Sequence, residues 1–164
     1  MEKLNLCTPD GQRLPDWIER EKPIPDGCGI QVVSIWVRDP QGQLLITRRA
    51  AVKKSWGGYW ENPGGAVRFG EEPEAAVRRE LEEETGIVLP DGPLPELDCH
   101  WTPPLLVYTY TVQLSERPTV RLQPGETEAA QWVTPAQLRE ACDQGRMAGP
   151  IEQQIRRYWE KLNA

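Results

Sequence analysis

The amino-acid sequence predicts an α/β fold, with strands before and after a central helix. Residues 29–39 (GIQVVSIWVRD) are apolar and β-branched, and a Pro-Gln-Gly turn separates them from a second apolar segment at 43–47, which together predict a β-hairpin. Residues 72–85 carry the signals of a helix. Residues 105–114 (LLVYTYTVQL) contain β-formers throughout and predict a further strand.

Shorter segments complete the prediction. Apolar and β-branched residues predict strand material at 66–69, 88–89, 97–101 and 119–122. Thr134 is suited to cap a helix over residues 135–142. Apolar residues repeating every three to four positions predict one amphipathic helix over residues 150–162.

Length and composition fit one domain. The chain has 164 residues, a net charge of −6 and no basic tract, so we expect no nucleic-acid duplex as a partner. No run approaches about 18 apolar residues and the first residues do not resemble a signal sequence, so we expect no membrane association and a cytoplasmic protein. The four cysteines lack metal-binding spacing and are expected to be reduced thiols. We expect residues 1–164 to form a single domain, with residues 1–28 as an arm or hairpin.

The central helix is bounded by clear signals. Pro73 suits a first turn, where its missing N–H costs nothing. Gly86 follows the position where a helix would end in a left-handed residue. Between them, Val77 and Leu81 are four residues apart and predict the buried face.

Three carboxylates share another face of this helix. At about 100° per residue, Glu80, Glu83 and Glu84 fall within an arc of roughly 100°, whereas Glu82 points nearly the opposite way. Carboxylates at this spacing repel one another, and a cation would stabilise them. Oxygen ligands favour Mg²⁺ or Mn²⁺. The alternative is a solvated helix face held by i, i+4 pairs, Arg78–Glu82 and Arg79–Glu83.

The spacing of this segment resembles the Nudix box. Gly65, five residues, Glu71, seven residues, Arg79-Glu80-Leu81, one residue, Glu83-Glu84, one residue and Gly86-Ile87 match it at every defined position. The resemblance implies a Nudix-like α/β/α sandwich with a mixed β-sheet between helices. It also implies metal-dependent hydrolysis of a phosphoanhydride bond in a nucleoside diphosphate linked to another moiety, with Mg²⁺ or Mn²⁺ as cofactor.

The resemblance also implies roles for individual residues. Glu80, Glu83, Glu84 and the main-chain carbonyl of Gly64 would hold the metal. Arg79 would orient Glu83, and Glu71 would support the loop or an outer-sphere water. The general base would be Glu83 or a downstream glutamate, with Glu126 as the first choice and Glu128 as the second.

Substrate contacts are expected near the end of the first hairpin. The segment ITRRA at residues 46–50 resembles that of many Nudix hydrolases, in which an arginine reaches a substrate phosphate. Arg49 is the candidate for this contact. The alternative is that Arg49 faces solvent. Trp56 and Tyr59 follow in an aromatic loop, where they would either stack on a base or cover the sheet edge. The implied partner is a small-molecule diphosphate, a nucleotide derivative, and a homodimer built with the N-terminal arm is preferred.

Two other functions fit the same fold. A Nudix module that senses a ligand without turnover is one, although its box would usually be eroded. An isopentenyl diphosphate isomerase is the other, but such enzymes need a cysteine beside the box glutamates and additional metal-binding histidines. This chain has one histidine, His100.

Overall fold

Nine β-strands and four α-helices make up the chain, so the predicted α/β class is confirmed. The computed structural model describes residues 1–164. The elements, in chain order, are β1 (Lys3–Cys7), β2 (Arg13–Glu19), β3 (Gly29–Arg38), β4 (Leu44–Arg49), β5 (Trp60–Glu61), β6 (Gly64–Ala66), α1 (Pro73–Thr85), β7 (Glu96–Thr102), β8 (Leu105–Gln113), β9 (Thr127–Val133), α2 (Pro135–Asp143), α3 (Gly149–Arg157) and α4 (Trp159–Leu162).

The chain forms two compact units. The first comprises residues 1–35, 64–82 and 88–112, and the second comprises residues 36–63, 83–87 and 113–164. Each unit is therefore assembled from several segments of the chain.

The first unit is built mainly from antiparallel strand pairs. Strands β1 and β2 form a hairpin, in which Leu4 lies opposite Ile18. Strand β6 runs antiparallel to β3, with Ser34 opposite Gly64. Strands β7 and β8 form another antiparallel pair, with Cys99 opposite Tyr108. Hence the glycine-rich segment that precedes α1 is fixed by pairing to the longest strand.

The second unit is centred on β4. This strand pairs antiparallel with β5, where Arg48 lies opposite Trp60, and with β9, where Leu45 lies opposite Trp132. A parallel bridge joins Trp60 to Met147, so the strand pairing is mixed. The fully buried apolar side chains of this unit include Trp36, Val37, Leu44, Leu45, Leu138, Met147 and Ile155.

Helix α1 follows its predicted limits. Ala76, Val77 and Leu81 are fully buried, as expected for the inner face of an amphipathic helix. After the last helical residue, Gly86 has φ 75°, the left-handed conformation that glycine adopts without a steric cost.

Helix α2 also begins as predicted. Thr134 accepts a hydrogen bond from the backbone N–H of Gln137, and the Gln137 side chain accepts one from the backbone N–H of Thr134. This reciprocal pair is a capping box, which satisfies two N–H groups that the helix leaves unpaired.

Several local predictions were wrong. Residues 119–122 form no strand, because the N–H of Arg121 bonds to the carbonyl of Thr85 instead of a strand partner. Residues 88–89 form no strand either, and Val88 is exposed. The helix expected over residues 150–162 is interrupted at Tyr158, whose φ of −105° and ψ of 19° are not helical.

Strand β4 is longer than expected. It was predicted to end at residue 47, but it extends through Arg49, because Arg48 and Arg49 pair with Ala129 and Thr127 of β9. Arg49 therefore sits on ordered backbone and not on a flexible strand exit.

No helix is long and apolar enough to cross a membrane. All four cysteines are free thiols, of which Cys7 and Cys142 are buried.

Candidate functional site

A cluster of charged side chains joins strand β6 and the loop at residues 67–72 to helix α1 in the first unit. We name Glu71, Arg79 and Glu80 the box cluster. The Arg79 guanidinium donates to both carboxylate oxygens of Glu71, from Nε at 2.8 Å and from Nη2 at 2.9 Å. Its Nη1 donates to Glu80 Oε1 at 2.8 Å. Nη2 also donates to the carbonyl of Ala66 at 3.1 Å, so one guanidinium holds the loop, the helix and two carboxylates together.

Glycine at position 65 is required by this arrangement. A β-carbon built on Gly65 would lie 2.3 Å from the carboxyl carbon of Glu80 and 2.4 Å from Oε1. Real side chains do not tolerate such distances, so any other residue would displace the Glu80 carboxylate. Main chain and carboxylate therefore lie in direct contact at this point of the box.

The box cluster is partly buried, and its ion pairs shift the pKa values of its members. The side chains of Arg79 and Glu71 are each 17% exposed, and that of Glu80 is 12% exposed. Burial raises the pKa of Glu71, but hydrogen bonds from Arg79 and from the backbone N–H of Arg68 outweigh it, so the pKa lies below its ordinary value. The same bond to Glu71 raises the pKa of Arg79.

A second set of ion pairs surrounds the loop that follows β4 in the second unit. Arg49 Nη1 contacts Glu61 Oε1 at 3.1 Å, and Arg49 Nε donates to the carbonyl of Ser55 at 2.9 Å. Burial raises the pKa of Glu61, and the positive charges of Arg49 and Lys53 only partly oppose this effect. Arg49 thus connects strand β5 with the middle of the loop.

The residues before and within β9 also contact this loop. Glu126 forms an ion pair with Lys53, and Glu128 accepts hydrogen bonds from Arg48 at 3.0 Å and from the backbone N–H of Ala51 at 2.6 Å. The bond from Ala51, assisted by Arg48, lowers the pKa of Glu128. Glu126 and Glu128, the two candidates for the general base that lie outside the box, are therefore paired with basic residues in this structure.

The loop presents two aromatic side chains. The rings of Trp56 and Tyr59 meet edge to face with centroids 5.2 Å apart, and these residues are 45% and 39% exposed. Trp56 has φ 54°, which is rare for a bulky residue. A β-carbon on Gly149 would lie 2.8 Å from the Trp56 ring, so the ring packs directly on glycine main chain.

The metal-binding roles expected of Glu80, Glu83, Glu84 and Gly64 stay predictions. Glu80, Glu83 and Glu84 are all in α1, where Glu83 is exposed and Glu84 is half-buried, and Gly64 begins β6. No group of three or more His, Cys, Asp or Glu side chains is arranged to hold a metal ion. The expected ligands would be carboxylate and carbonyl oxygens, a type of donor that suits a hard divalent cation.

The family of the chain follows from comparison with known proteins. The NUDIX domain family model matches residues 30–154, which include both clusters described above. The chain belongs to the Nudix family. The predicted family membership is therefore confirmed, and the match extends beyond the box at residues 65–87 on both sides.

Curated relatives cover the chain to different extents. The isopentenyl-diphosphate Delta-isomerase of Corynebacterium diphtheriae is 51% identical over 55 residues, which is 33% of this chain and 30% of that protein. The isopentenyl-diphosphate Delta-isomerase of Halorhodospira halophila is 32% identical over 149 residues, which is 87% of this chain and 85% of that protein. The chain thus spans less than a third of the first relative and most of the second.

Solved structures confirm the predicted Nudix fold. DR0079 from Deinococcus radiodurans superposes with a TM-score of 0.80 and 26% identity, over 95% of this chain and 98% of that one. The NUDIX domain of Shewanella oneidensis NrtR, solved with ADP-ribose, gives a TM-score of 0.66 and 19% identity over 88% of this chain and 94% of that one. At 19% identity, the likeness to the NrtR domain shows the fold alone.

The structure adds residues that the sequence did not single out. Glu61 and Ser55 anchor Arg49, and Gly149 supports Trp56. An acidic residue shortly before the paired glycines is a weak signal for Glu61, but its partner depends on strand register, which the sequence does not specify. Nothing in the sequence associates Gly149 with Trp56, which lies 93 positions earlier.

Proposed function

We propose that this Nudix protein hydrolyses a phosphoanhydride bond in a nucleoside diphosphate linked to another moiety. The observation that carries the proposal is the intact box on an ordered helix, with Glu80 seated on the main chain of Gly65 and fixed by Arg79. A carboxylate fixed in this way is suited to hold a cation, which in turn would stabilise negative charge on a diphosphate.

The proposal includes a divalent metal, Mg²⁺ or Mn²⁺. The oxygen ligands would come from Glu80, Glu83, Glu84 and the carbonyl of Gly64. Gly65 contacts the Glu80 carboxylate so closely that no side chain fits between them. When bound, the ion would neutralise charge on the diphosphate oxygens and make a coordinated water more acidic. Repulsion among the three carboxylates of α1 is a further reason for this helix face to take up a cation.

Side chains would carry out the remaining steps. Glu83 or Glu126 would accept the proton of the attacking water, with Glu128 as the second choice beyond the box. Arg79 would act by holding the carboxylates in place, and its bonds to Glu71 and Glu80 support that role. In the structure, Glu126 carries its ion pair with Lys53, which a general base would have to exchange for the water.

Substrate binding is assigned to the loop after β4. Arg49 would contact a phosphate through its planar guanidinium, which suits phosphate geometry better than lysine. Trp56 and Tyr59 would stack on a base, and their exposure and fixed edge-to-face geometry support this choice over simple coverage of the sheet edge. The ADP-ribose bound by the Shewanella NrtR domain makes ADP-ribose the first compound to test.

An isopentenyl diphosphate isomerase is the second candidate. The 32% identity to the Halorhodospira isomerase over 149 residues favours it. The residue inventory opposes it, because the chain has one histidine and the four cysteines are Cys7, Cys28, Cys99 and Cys142, none of which lies in the box. A diphosphate is the shared feature of both candidates.

The experiment is a turnover assay with magnesium or manganese and product analysis by ³¹P NMR for anhydride cleavage and ¹H NMR for double-bond migration. The compounds are ADP-ribose, nucleoside triphosphates, dinucleoside polyphosphates, sugar nucleotides and isopentenyl diphosphate. Cleavage of a phosphoanhydride bond supports the hydrolase. Conversion of isopentenyl diphosphate with its diphosphate intact would establish the isomerase instead, and ligand binding without turnover would establish a sensing module.

A further inference from the structure

We propose that Glu61 is a positioning residue, which acts with the carbonyl of Ser55 to hold the Arg49 guanidinium so that Nη2 presents its N–H groups to a substrate diphosphate. The inference rests on the proposed function, because it takes Arg49 as the phosphate contact. It adds a residue that neither the box nor the expected catalytic set contains.

The contacts of Arg49 define the geometry. Nε is occupied by the carbonyl of Ser55 at 2.9 Å, and Nη1 contacts both oxygens of Glu61, at 3.1 and 3.4 Å. Nη2 has no hydrogen-bond partner in the structure. Because a guanidinium is planar, anchoring Nε and Nη1 also fixes the direction in which the Nη2 N–H groups point.

The pair is shielded but open to a ligand. The Arg49 side chain is 24% exposed and the Glu61 side chain is 18% exposed. Lys53 is the other charged residue that acts on Glu61, and it is itself engaged by Glu126. Shielding from water strengthens the Arg49–Glu61 interaction, and the residual exposure leaves access for a phosphate oxygen.

The ion pair is not needed to hold the strands together. Strand β5 is already paired with β4 at Thr47–Glu61 and Arg48–Trp60. The loop is closed by backbone bonds from Arg49 N–H to the Tyr59 carbonyl and from Gly58 N–H to the Arg49 carbonyl, each at 2.9 Å. Since the backbone fixes both ends, the side-chain contacts of Arg49 chiefly determine where its guanidinium points.

The arrangement also links two parts of the proposed binding site. Ser55 immediately precedes Trp56, so the carbonyl that anchors Arg49 belongs to the same loop that presents the aromatic pair. A phosphate on Arg49 and a ring beside Trp56 would therefore contact one connected structure. This connection suits a substrate that carries both a diphosphate and a planar base.

The test is a double-mutant cycle on binding of inorganic pyrophosphate, measured by calorimetry at a fixed magnesium concentration. The variants are Arg49→Ala, Glu61→Ala, Glu61→Gln and the Arg49→Ala/Glu61→Ala double variant. We expect Arg49→Ala and Glu61→Ala each to raise Kd about tenfold, and the double variant to bind no more weakly than Arg49→Ala alone. Glu61→Gln keeps an acceptor for Arg49 and should recover part of the affinity.

The control breaks an ion pair of the same type elsewhere in the second unit. Glu152→Gln removes the carboxylate that contacts Arg156 at 3.0 Å and should leave Kd unchanged. Thermal unfolding of each variant establishes that the compared proteins are folded, and Glu61→Gln carries the test if Glu61→Ala does not fold.

The outcomes separate the inference from the proposed function. If the wild type binds pyrophosphate and Glu61 variants bind equally well, or if the two single effects add in the double variant, Glu61 does not position Arg49. If the wild type binds no pyrophosphate, or if Arg49→Ala has no effect, Arg49 does not contact a substrate phosphate. The positioning role of Glu61 is then also rejected.

Discussion

The carboxylate of Glu80 lies directly on the main chain of Gly65, where a β-carbon would come within 2.3 Å of its carboxyl carbon. The two residues are 15 positions apart and belong to different elements, strand β6 and helix α1. A side chain at position 65 and the Glu80 carboxylate could therefore not both occupy these positions.

Replacing this glycine tests the contact. Gly65→Ala should lower the free energy of unfolding by about 1–3 kcal/mol, the usual cost of overpacking. In a Glu80→Ala background most of that cost should disappear, because the three atoms nearest the added carbon all belong to Glu80. Urea unfolding of the four proteins measures both effects. An equal cost in the two backgrounds would show that something other than Glu80 resists the methyl group.

The box cluster should make stability depend on pH. The folded pKa of Glu71 lies below its ordinary value of 4.5, so its ion pair with Arg79 stabilises the folded state at neutral pH. This contribution is complete above the unfolded pKa and is lost as the pH falls through the lower folded pKa. Glu71→Gln should therefore cost about 1–3 kcal/mol at pH 7 and much less under strongly acidic conditions.

The adjacent residue supplies the control for this effect. Glu72 contacts Arg13 at 3.2 Å, but its side chain is 75% exposed. Glu72→Gln should change stability by less than about 1 kcal/mol at any pH. Chemical unfolding at several pH values compares the two variants, and a constant difference between wild type and Glu71→Gln across the acid range would contradict the linkage.

Gly149 should influence substrate binding without touching the substrate. A methyl group at this position would meet the Trp56 ring at 2.8 Å and move it. If Trp56 stacks on a base, Gly149→Ala should raise KM severalfold and Trp56→Ala should raise it by about tenfold, because stacking on an aromatic ring is worth about 1–3 kcal/mol. Steady-state kinetics on the best substrate measures this. Val52→Ala, at an 83% exposed position of the same loop, is the control and should leave KM unchanged.

A buried polar contact in the second unit should contribute to stability. Gln154 Oε1 accepts hydrogen bonds from Trp36 Nε1 at 2.8 Å and from Asn62 Nδ2 at 3.3 Å. Gln154→Leu leaves both donors without this acceptor and should cost about 1–3 kcal/mol in the free energy of unfolding. Gln153→Leu, at the exposed neighbouring position, should have little effect. Similar unfolding curves for the two variants would show that the buried acceptor is not needed.

The sequence predicted those elements whose signals are local. Helix α1 runs from Pro73 to Thr85 as expected, because a first-turn proline, an apolar stripe and a terminal glycine agree with one another. The cap of α2 at Thr134 was predicted for the same reason. In contrast, residues 119–122 have strand composition but bond to the end of α1, which composition does not reveal.

The candidate site was predicted in part. Helical spacing predicts a common face for Glu80, Glu83 and Glu84, and their joint role as metal ligands stays a prediction. The partners of Arg49 and Trp56 could not be predicted, because Glu61 and Gly149 reach them through strand register and tertiary packing. The metal ligation, catalytic roles and homodimer expected from the sequence stay predictions.

The most direct test of the central claim compares two glutamates on the same helix. Glu84→Gln removes a proposed metal ligand, and Glu82→Gln changes an exposed carboxylate that points away from it. Turnover of the best diphosphate substrate is measured against magnesium concentration for both variants and the wild type. We expect a loss of about a hundredfold or more in kcat/KM for Glu84→Gln, roughly 3 kcal/mol in the barrier, and wild-type kinetics for Glu82→Gln. Equal activity of the two variants, or turnover that persists after chelation of metal, would contradict it.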